Sequence, residues 1–135
     1  HADALHLGAN LQHRHASGTL WSGSFAMTNS TSDRETADFR EARLELIAEP
    51  TWTILGADPE IGLRLRARDY ASFSFFSPDG RRDNEAALFV TLNFAQAEYY
   101  GFMPTLTLEA SRISSSIGLF EVDRFGLQLG ISSAF

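Results

Sequence analysis

The residues best placed to do chemistry in this sequence are charged side chains at every second position. The chain reads Arg-Leu-Arg-Ala-Arg from residue 64 and Glu-Ala-Arg-Leu-Glu from residue 41. Successive side chains of a β-strand point to opposite faces, so each charged set would line one face of its strand. On neighbouring strands, acids beside bases would stabilise the pairing modestly. Such a face is either solvated or the lining of a barrel, and the spacing alone allows both.

Histidine is the other candidate for chemistry, but its spacing gives little indication of a metal or catalytic site. His1, His6, His13 and His15 cluster near the beginning of the chain. Two imidazoles separated by one residue could form a weak metal site, but no carboxylate or thiol lies near them in sequence. No nucleophile motif, phosphate-binding loop or pair of catalytic carboxylates is present. We therefore expect no enzyme activity, no catalytic residue, no metal site and no cofactor.

Composition excludes several classes of protein. The 135 residues fit a single domain, 1–135, and contain no cysteine, so neither a disulfide framework nor a thiolate metal site can form. A net charge of −6 argues against nucleic acid as a partner. No apolar run approaches the roughly 20 residues of a membrane helix. The beginning of the chain has no signal peptide pattern, and we expect a mature fragment or the C-terminal part of a longer protein.

Seven segments alternate between apolar and polar residues with a period of two, which predicts strands rather than helices. The helix propensity of residues 40–46 makes the third strand the weakest of these predictions. The predicted strands are residues 3–14, 19–29, 38–49, 59–70, 85–98, 102–112 and the C-terminal segment that ends at residue 135.

The connections between these strands alternate in character. Those at 29–37, 71–84 and 112–119 are polar and longer, whereas those at 15–18, 50–58 and 98–101 are mostly shorter. Barrels of the outer membrane have long external loops and short periplasmic turns. With the end of the last strand on the periplasmic side, the longer connections are external, and the alternation fits this pattern, although 50–58 is longer than a tight turn.

The last strand is the strongest indication of an outer-membrane barrel. It is apolar on one side, small or polar on the other, and closes on Phe135. Aromatic residues at strand ends suggest interfacial girdles. The predicted girdle residues are Trp21, Trp52, Tyr99, Tyr100 and Phe102.

These patterns predict an all-β, antiparallel, up-and-down transmembrane β-barrel in the outer membrane of a Gram-negative bacterium, with the lipid bilayer as its surroundings. The predicted lumen-facing charged residues are Glu41, Arg43, Glu45, Arg64, Arg66, Arg68, Glu109 and Arg124. A soluble β-sandwich or a lipocalin-like binding protein, with its apolar face inward, is the alternative that remains open.

Three segments near the end of the chain carry a family resemblance. They are Tyr-Gly-Phe-Met-Pro-Thr-Leu-Thr-Leu from residue 100, Ser-Ser-Ser-Ile-Gly-Leu-Phe from residue 114 and Phe-Gly-Leu-Gln-Leu-Gly-Ile-Ser from residue 125. Together they resemble the end of the surface lipoprotein assembly modifier (Slam) family. The resemblance implies a C-terminal barrel that moves lipoproteins or other proteins to the cell surface. The closing strand also resembles the signal read by the barrel assembly machinery, with Gln128, Gly130 and Phe135 matching and Ser133 departing from it.

Seven strands do not close a barrel in the usual way, because bacterial single-chain barrels have even strand numbers. One solution is an eighth strand at Thr51 to Leu55, which would make a complete small barrel of structural or adhesin type. The other is that this chain is about half of a larger barrel and that another segment supplies the missing strands. The family resemblance favours the larger barrel.

Overall fold

Seven β-strands make up most of the chain that the computed structural model describes, which is residues 2–32, 38–71 and 80–133. Two single-turn 3₁₀ helices, Ala95–Ala97 and Gly118–Phe120, lie in the connections before the last two strands. No helix in these described ranges is long and apolar enough to span a membrane. The strands are β1 (Ala2–Arg14), β2 (Leu20–Ser32), β3 (Phe39–Glu49), β4 (Asp58–Tyr70), β5 (Arg81–Asn93), β6 (Phe102–Ser115) and β7 (Val122–Ser133).

The strands form one antiparallel sheet in which each pairs with the next along the chain. This confirms the predicted all-β, up-and-down arrangement of seven strands. Residues 40–46 are strand despite their helix propensity, and Leu44 and Leu46 lie opposite Leu65 and Leu63. β1 and β7 are the two edges, so the sheet is not closed within the described residues.

The predicted bounds of the fifth strand, 85–98, are wrong at both ends. β5 begins at Arg81, which lies opposite Tyr70, because β4 continues far enough to pair with four residues before position 85. It ends at Asn93, because the next residues form a 3₁₀ turn in which the N–H of Ala97 donates to the carbonyl of Phe94 at 2.9 Å.

The proposed eighth strand at Thr51 to Leu55 is also wrong. Ile54 and Ala57 exchange two backbone hydrogen bonds of 2.9 Å around a two-residue turn, so this stretch reverses on itself instead of joining the sheet. Leu55 and Gly56 both adopt positive φ, 52° and 79°, as a turn of the primed type requires. Tyr100 and Gly101, with φ of 51° and 78°, repeat this turn before β6.

The two faces of the sheet differ in polarity, and the apolar face is the more exposed of the two. Leu65 and Leu88 on the apolar face are 38% and 55% exposed. Glu41 and Asp83 on the opposite, charged face are only 5% and 8% exposed. A soluble sheet protein would bury its apolar face, so this order is the reverse of what the soluble alternative predicts. Since the sheet is a single layer, the side chains of the charged face must cover one another.

An aromatic ring covers a glycine on the charged face. Phe89 lies opposite Gly62 in the register and is 7% exposed. A methyl group at Gly62 would come within 2.0 Å of the Phe89 ring, so the ring occupies the space that any other residue would take. Covering a strand glycine with a cross-strand aromatic ring compensates for the missing side chain.

The close approach of Phe89 to Gly62 gives a test of this packing. We expect Gly62→Ala to displace the ring and destabilise the sheet by about 2 kcal/mol, the usual cost of overpacking. The matched control is Gly126→Ala, since a methyl group at Gly126 meets nothing within 4 Å. Urea unfolding followed by circular dichroism measures both variants. Equal unfolding midpoints for the two variants would contradict the packing described here.

Candidate functional site

The arginines of β4 form the centre of the charged face, and each is paired with an acid on another strand. Arg68 pairs with Glu41 and Arg64 with Glu45, both on β3, and Arg66 pairs with a residue of β5, Glu85. In the register, the two members of each pair lie directly opposite each other. We call these three arginines and their acidic partners the charged ladder.

Glu41 is the most buried acid of the charged ladder. Arg68 donates to its carboxylate from Nε at 2.6 Å, and Arg43 contacts the other carboxylate oxygen from the same strand. Arg68 also donates to the hydroxyl of Tyr70 at 3.1 Å and lies 4.7 Å from the centre of the Phe39 ring. Both partners of Glu41 are cations, so the buried carboxylate is fully compensated, as a buried charge requires.

Arg64 links three strands. Its Nε donates to Glu45 on β3 at 2.9 Å, and its Nη1 lies 3.5 Å from Glu109 on β6. The residue of β5 opposite Arg64 is Ala87, whose small side chain leaves room for the arginine to reach diagonally across β5, since Glu109 lies opposite Phe89. The guanidinium also lies 5.2 Å from the centre of the Phe89 ring, a cation–π distance.

A second cluster lies on the charged face at the end of the sheet from which β5 starts. Arg81 donates to Asp83 from Nε at 2.8 Å, and its other nitrogen contacts the second carboxylate oxygen. Its guanidinium stacks 3.6 Å from the Phe120 ring and lies 5.4 Å from Tyr70. These contacts hold the connection before β7 against the beginning of β5.

The five aromatic residues predicted for a girdle all lie at one end of the sheet, where the connections 15–19, 50–57 and 94–101 are found. Each of them is more than half exposed. Tyr99 and Tyr100 pack edge to face with their ring centres 4.5 Å apart. The five are Trp21, Trp52, Tyr99, Tyr100 and Phe102.

Comparison with known proteins identifies the family of this fold and charged face. A family model described as "Surface lipoprotein assembly modifier" matches residues 2–131. The chain belongs to the surface lipoprotein assembly modifier family. The match extends the resemblance seen in residues 100–135 to nearly the whole chain. The family's description indicates a role in surface lipoprotein assembly. No curated protein and no solved structure matches the chain significantly.

In this family member, seven of the eight charged residues predicted for a lumen make ion pairs on the charged face. The eighth, Arg124 on the edge strand β7, is exposed and makes no ion pair with a described residue. That this face lines a lumen stays a prediction. The seven are Glu41, Arg43, Glu45, Arg64, Arg66, Arg68 and Glu109.

The sequence reasoning missed three charged residues of this site, Arg81, Asp83 and Glu85. Arg81 and Asp83 lay in a predicted loop, because the fifth strand was predicted to begin at residue 85 and begins at Arg81. Glu85 was not recognised as the partner of Arg66. The signal was available, since all three continue the period-two spacing of Ala87 along the strand.

The remaining predicted residues lie apart from the ladder. Gln128 and Gly130 are on β7, where Gly130 lies opposite Thr105, and Phe135 lies outside the described residues. His6 hydrogen-bonds the Thr28 hydroxyl at 2.9 Å. Across the described ranges no group of three or more His, Cys, Asp or Glu residues could hold a metal ion, and His1 lies outside those ranges.

The burial of Glu41 predicts which ion pair contributes most to stability. Glu41→Gln would leave Arg68 and Arg43 without their shared anion, and we expect a loss of about 2 kcal/mol, below the full cost of a broken buried pair because both arginines reach solvent. The control Glu109→Gln removes a 3.5 Å contact of a carboxylate that is 39% exposed, and should cost less than about 1 kcal/mol. Urea unfolding ranks the two variants, and the reverse order would contradict the site.

Proposed function

We propose that this family member forms part of an outer-membrane β-barrel along whose interior lipoproteins or other proteins pass to the cell surface. The apolar face contacts lipid and the charged face lines the lumen. The observation that carries the proposal is the inverted exposure of the sheet, with leucines open to the surroundings and paired charges covered. That arrangement is favourable when the surroundings are hydrocarbon.

The edge of the apolar band supports a membrane setting, because it crosses the strands at an angle. Toward the end of the sheet opposite the aromatic residues, the apolar face of each strand gives way to a polar residue. In chain order these residues are Asp3, Asn29, Arg40, Asp69, Asn84, Arg112 and Asp123.

The register of the strands gives the angle at which this boundary crosses the sheet. Asp69 is in register with Leu5, two residues from Asp3, and Asp123 is in register with Leu65, four residues from Asp69. The boundary thus moves six residues, or about 20 Å, over about 29 Å of sheet, so the strands are inclined by about 35° to the normal of the band. Strands of membrane barrels tilt by about 35–45°.

The height of the band also fits. On β1 the apolar face runs between Asp3 and His13, a distance of about 33 Å along the strand and about 27 Å across the tilted band. Outer-membrane barrels have an apolar band about 25 Å tall, with aromatic girdles at its limits. The five aromatic residues lie at one limit, which we assign to the periplasmic side.

Closure of the proposed barrel requires strands beside both edges. β1 and β7 each have one neighbour, and an open edge in lipid would leave backbone groups unpaired at several kcal/mol each. Other strands therefore cover these edges in the membrane. Gln128, Gly130 and Phe135 are proposed to form the signal by which the barrel assembly machinery recognises the chain.

The charged ladder suits passage rather than chemistry. Its arginines are matched by carboxylates, so the lining would neither trap an acidic segment nor repel a basic one strongly. Neighbouring side chains bond to each other and leave few strong single charges for a moving chain to bind. The proposal therefore includes no enzymatic step and no cofactor.

Site-directed labelling tests the assignment of the two faces. Ser24 and Phe25 are neighbours on opposite faces of β2, and the natural chain contains no cysteine. We expect a spin label on Phe25→Cys to be relaxed mainly by oxygen, which concentrates in lipid. A label on Ser24→Cys should be relaxed mainly by a water-soluble nickel complex. If nickel dominates at both positions in membrane-embedded protein, the apolar face does not contact lipid.

A charge exchange tests the passage. Arg66→Glu would place two acids side by side in the ladder, and we expect severalfold less lipoprotein on the cell surface, measured by protease digestion of intact cells. Adding Glu85→Arg should restore display, because the pair is re-formed with opposite orientation. Immunoblots of the outer membrane supply the control for protein level. Undiminished display by the single variant at normal level would argue against passage along this face.

A further inference from the structure

A groove runs across the apolar face just below its polar boundary. Ala42 and Ala67 lie opposite each other on β3 and β4, and Asn84 is the next residue across on β5. Two cavities of about 590 Å³ and 430 Å³ share these three residues. Larger side chains, among them Met27 and Leu65, form the walls, so the small residues make the floor. We call this depression the boundary groove.

Three arginines lie along the rim of the boundary groove. Arg40 makes no ion pair with any described residue and is exposed. Arg82 lies 3.5 Å from Asp69, and Arg112 lies 3.7 Å from Asp123, all with side chains more than half exposed. Ion pairs this exposed are weak. Asp69 and Asp123 offset two of the three positive charges, and Asp38 lines a neighbouring depression together with Arg40 and Asp69.

The rim follows the tilted boundary of the band, so its arginines lie near one level of the membrane. That level is the limit opposite the aromatic residues, where the headgroups of the outer leaflet would be found. Arginine binds phosphate through paired N–H donors. The side-chain amide of Asn84 is a further hydrogen-bond donor beside the rim arginines. The boundary groove below supplies apolar surface for an acyl chain.

We propose that the boundary groove binds a bisphosphorylated glycolipid of the lipid A class, with an acyl chain on the alanine floor and its phosphates on the rim arginines. This inference rests on the proposed function, because it requires the apolar face to contact lipid. The distance between the arginines indicates how many phosphates the ligand carries. The Cα atoms of Arg40 on β3 and Arg112 on β6 are about 19 Å apart, over three strand spacings. One phosphate cannot bridge this distance, which favours a headgroup with two phosphates.

Native mass spectrometry of the complete barrel in detergent, with the strands that cover β1 and β7 present, tests the site. The probes are lipid A, its monophosphorylated form and phosphatidylglycerol. We expect lipid A to bind with the highest affinity. The double variant Arg40→Ser/Arg112→Ser should bind it about tenfold more weakly, a loss typical of charge-assisted hydrogen bonds. Arg124→Ser is the matched control, since Arg124 is an exposed arginine on the other face, and it should bind as the natural chain does.

A second variant tests the floor independently of charge. Ala67→Leu would fill the boundary groove and should weaken lipid A binding severalfold. Ala110→Leu adds the same volume to the apolar face of β6, outside the residues that line the two cavities, and should leave binding unchanged. Heat-modifiable gel migration shows whether each variant is folded before its affinity is compared.

The possible outcomes separate the two proposals. A chain that inserts into membranes but binds lipid A equally well in natural and Arg40→Ser/Arg112→Ser forms overturns the lipid site and leaves the proposed function in place. Equal affinity for lipid A and phosphatidylglycerol overturns the assignment of a bisphosphorylated ligand. A chain that folds as a soluble monomer without detergent overturns the lipid site and the proposed function together.

Discussion

The register between β3 and β4 is the constraint on which the rest of the sheet depends, and the charged ladder sets it. Glu41 and Glu45 each lie opposite an arginine, but Arg43 lies opposite Arg66, which taken alone is unfavourable. The conflict is relieved because Arg43 turns to Glu41 on its own strand and Arg66 turns to Glu85 on β5. A shift of two residues in either direction would lose one of the acid–base pairs. A shift of one residue would turn the arginines onto the apolar face.

Much of this architecture could be predicted from residue periodicity, because a period of two records which side chains share a face. The seven strands, the charged set and the aromatic residues at strand ends all follow from it. Contacts between strands could not be predicted in this way, since they depend on register. The pairing of Phe89 with Gly62 and the crossing of Arg64 over Ala87 require knowing which residues lie opposite one another. The prediction of an eighth strand was wrong for a local reason, because Leu55 and Gly56 form a tight turn.

The pairing of charges on the charged face has an electrostatic consequence for the transport proposed above. A lining of isolated arginines would bind acidic segments strongly, and a lining of isolated carboxylates would bind basic ones. In the proposed lumen, pairing within the ladder would remove both effects while keeping the surface polar, so the lining would offer water and a passing chain hydrogen bonds of moderate strength. A face of this kind is compatible with substrates that differ widely in sequence.

The two faces of the sheet also differ in how freely they can change over generations. Positions on the apolar face need only remain apolar and of suitable size, so leucine, isoleucine, valine and alanine can replace one another at small cost. A residue of the charged ladder is tied to a partner on another strand, and altering one member leaves a charge uncompensated. We therefore expect Arg66 and Glu85, or Arg68 and Glu41, to change together among related chains while the leucines around them drift independently. The ancestry of the family should thus be recorded more faithfully on the charged face than on the apolar one.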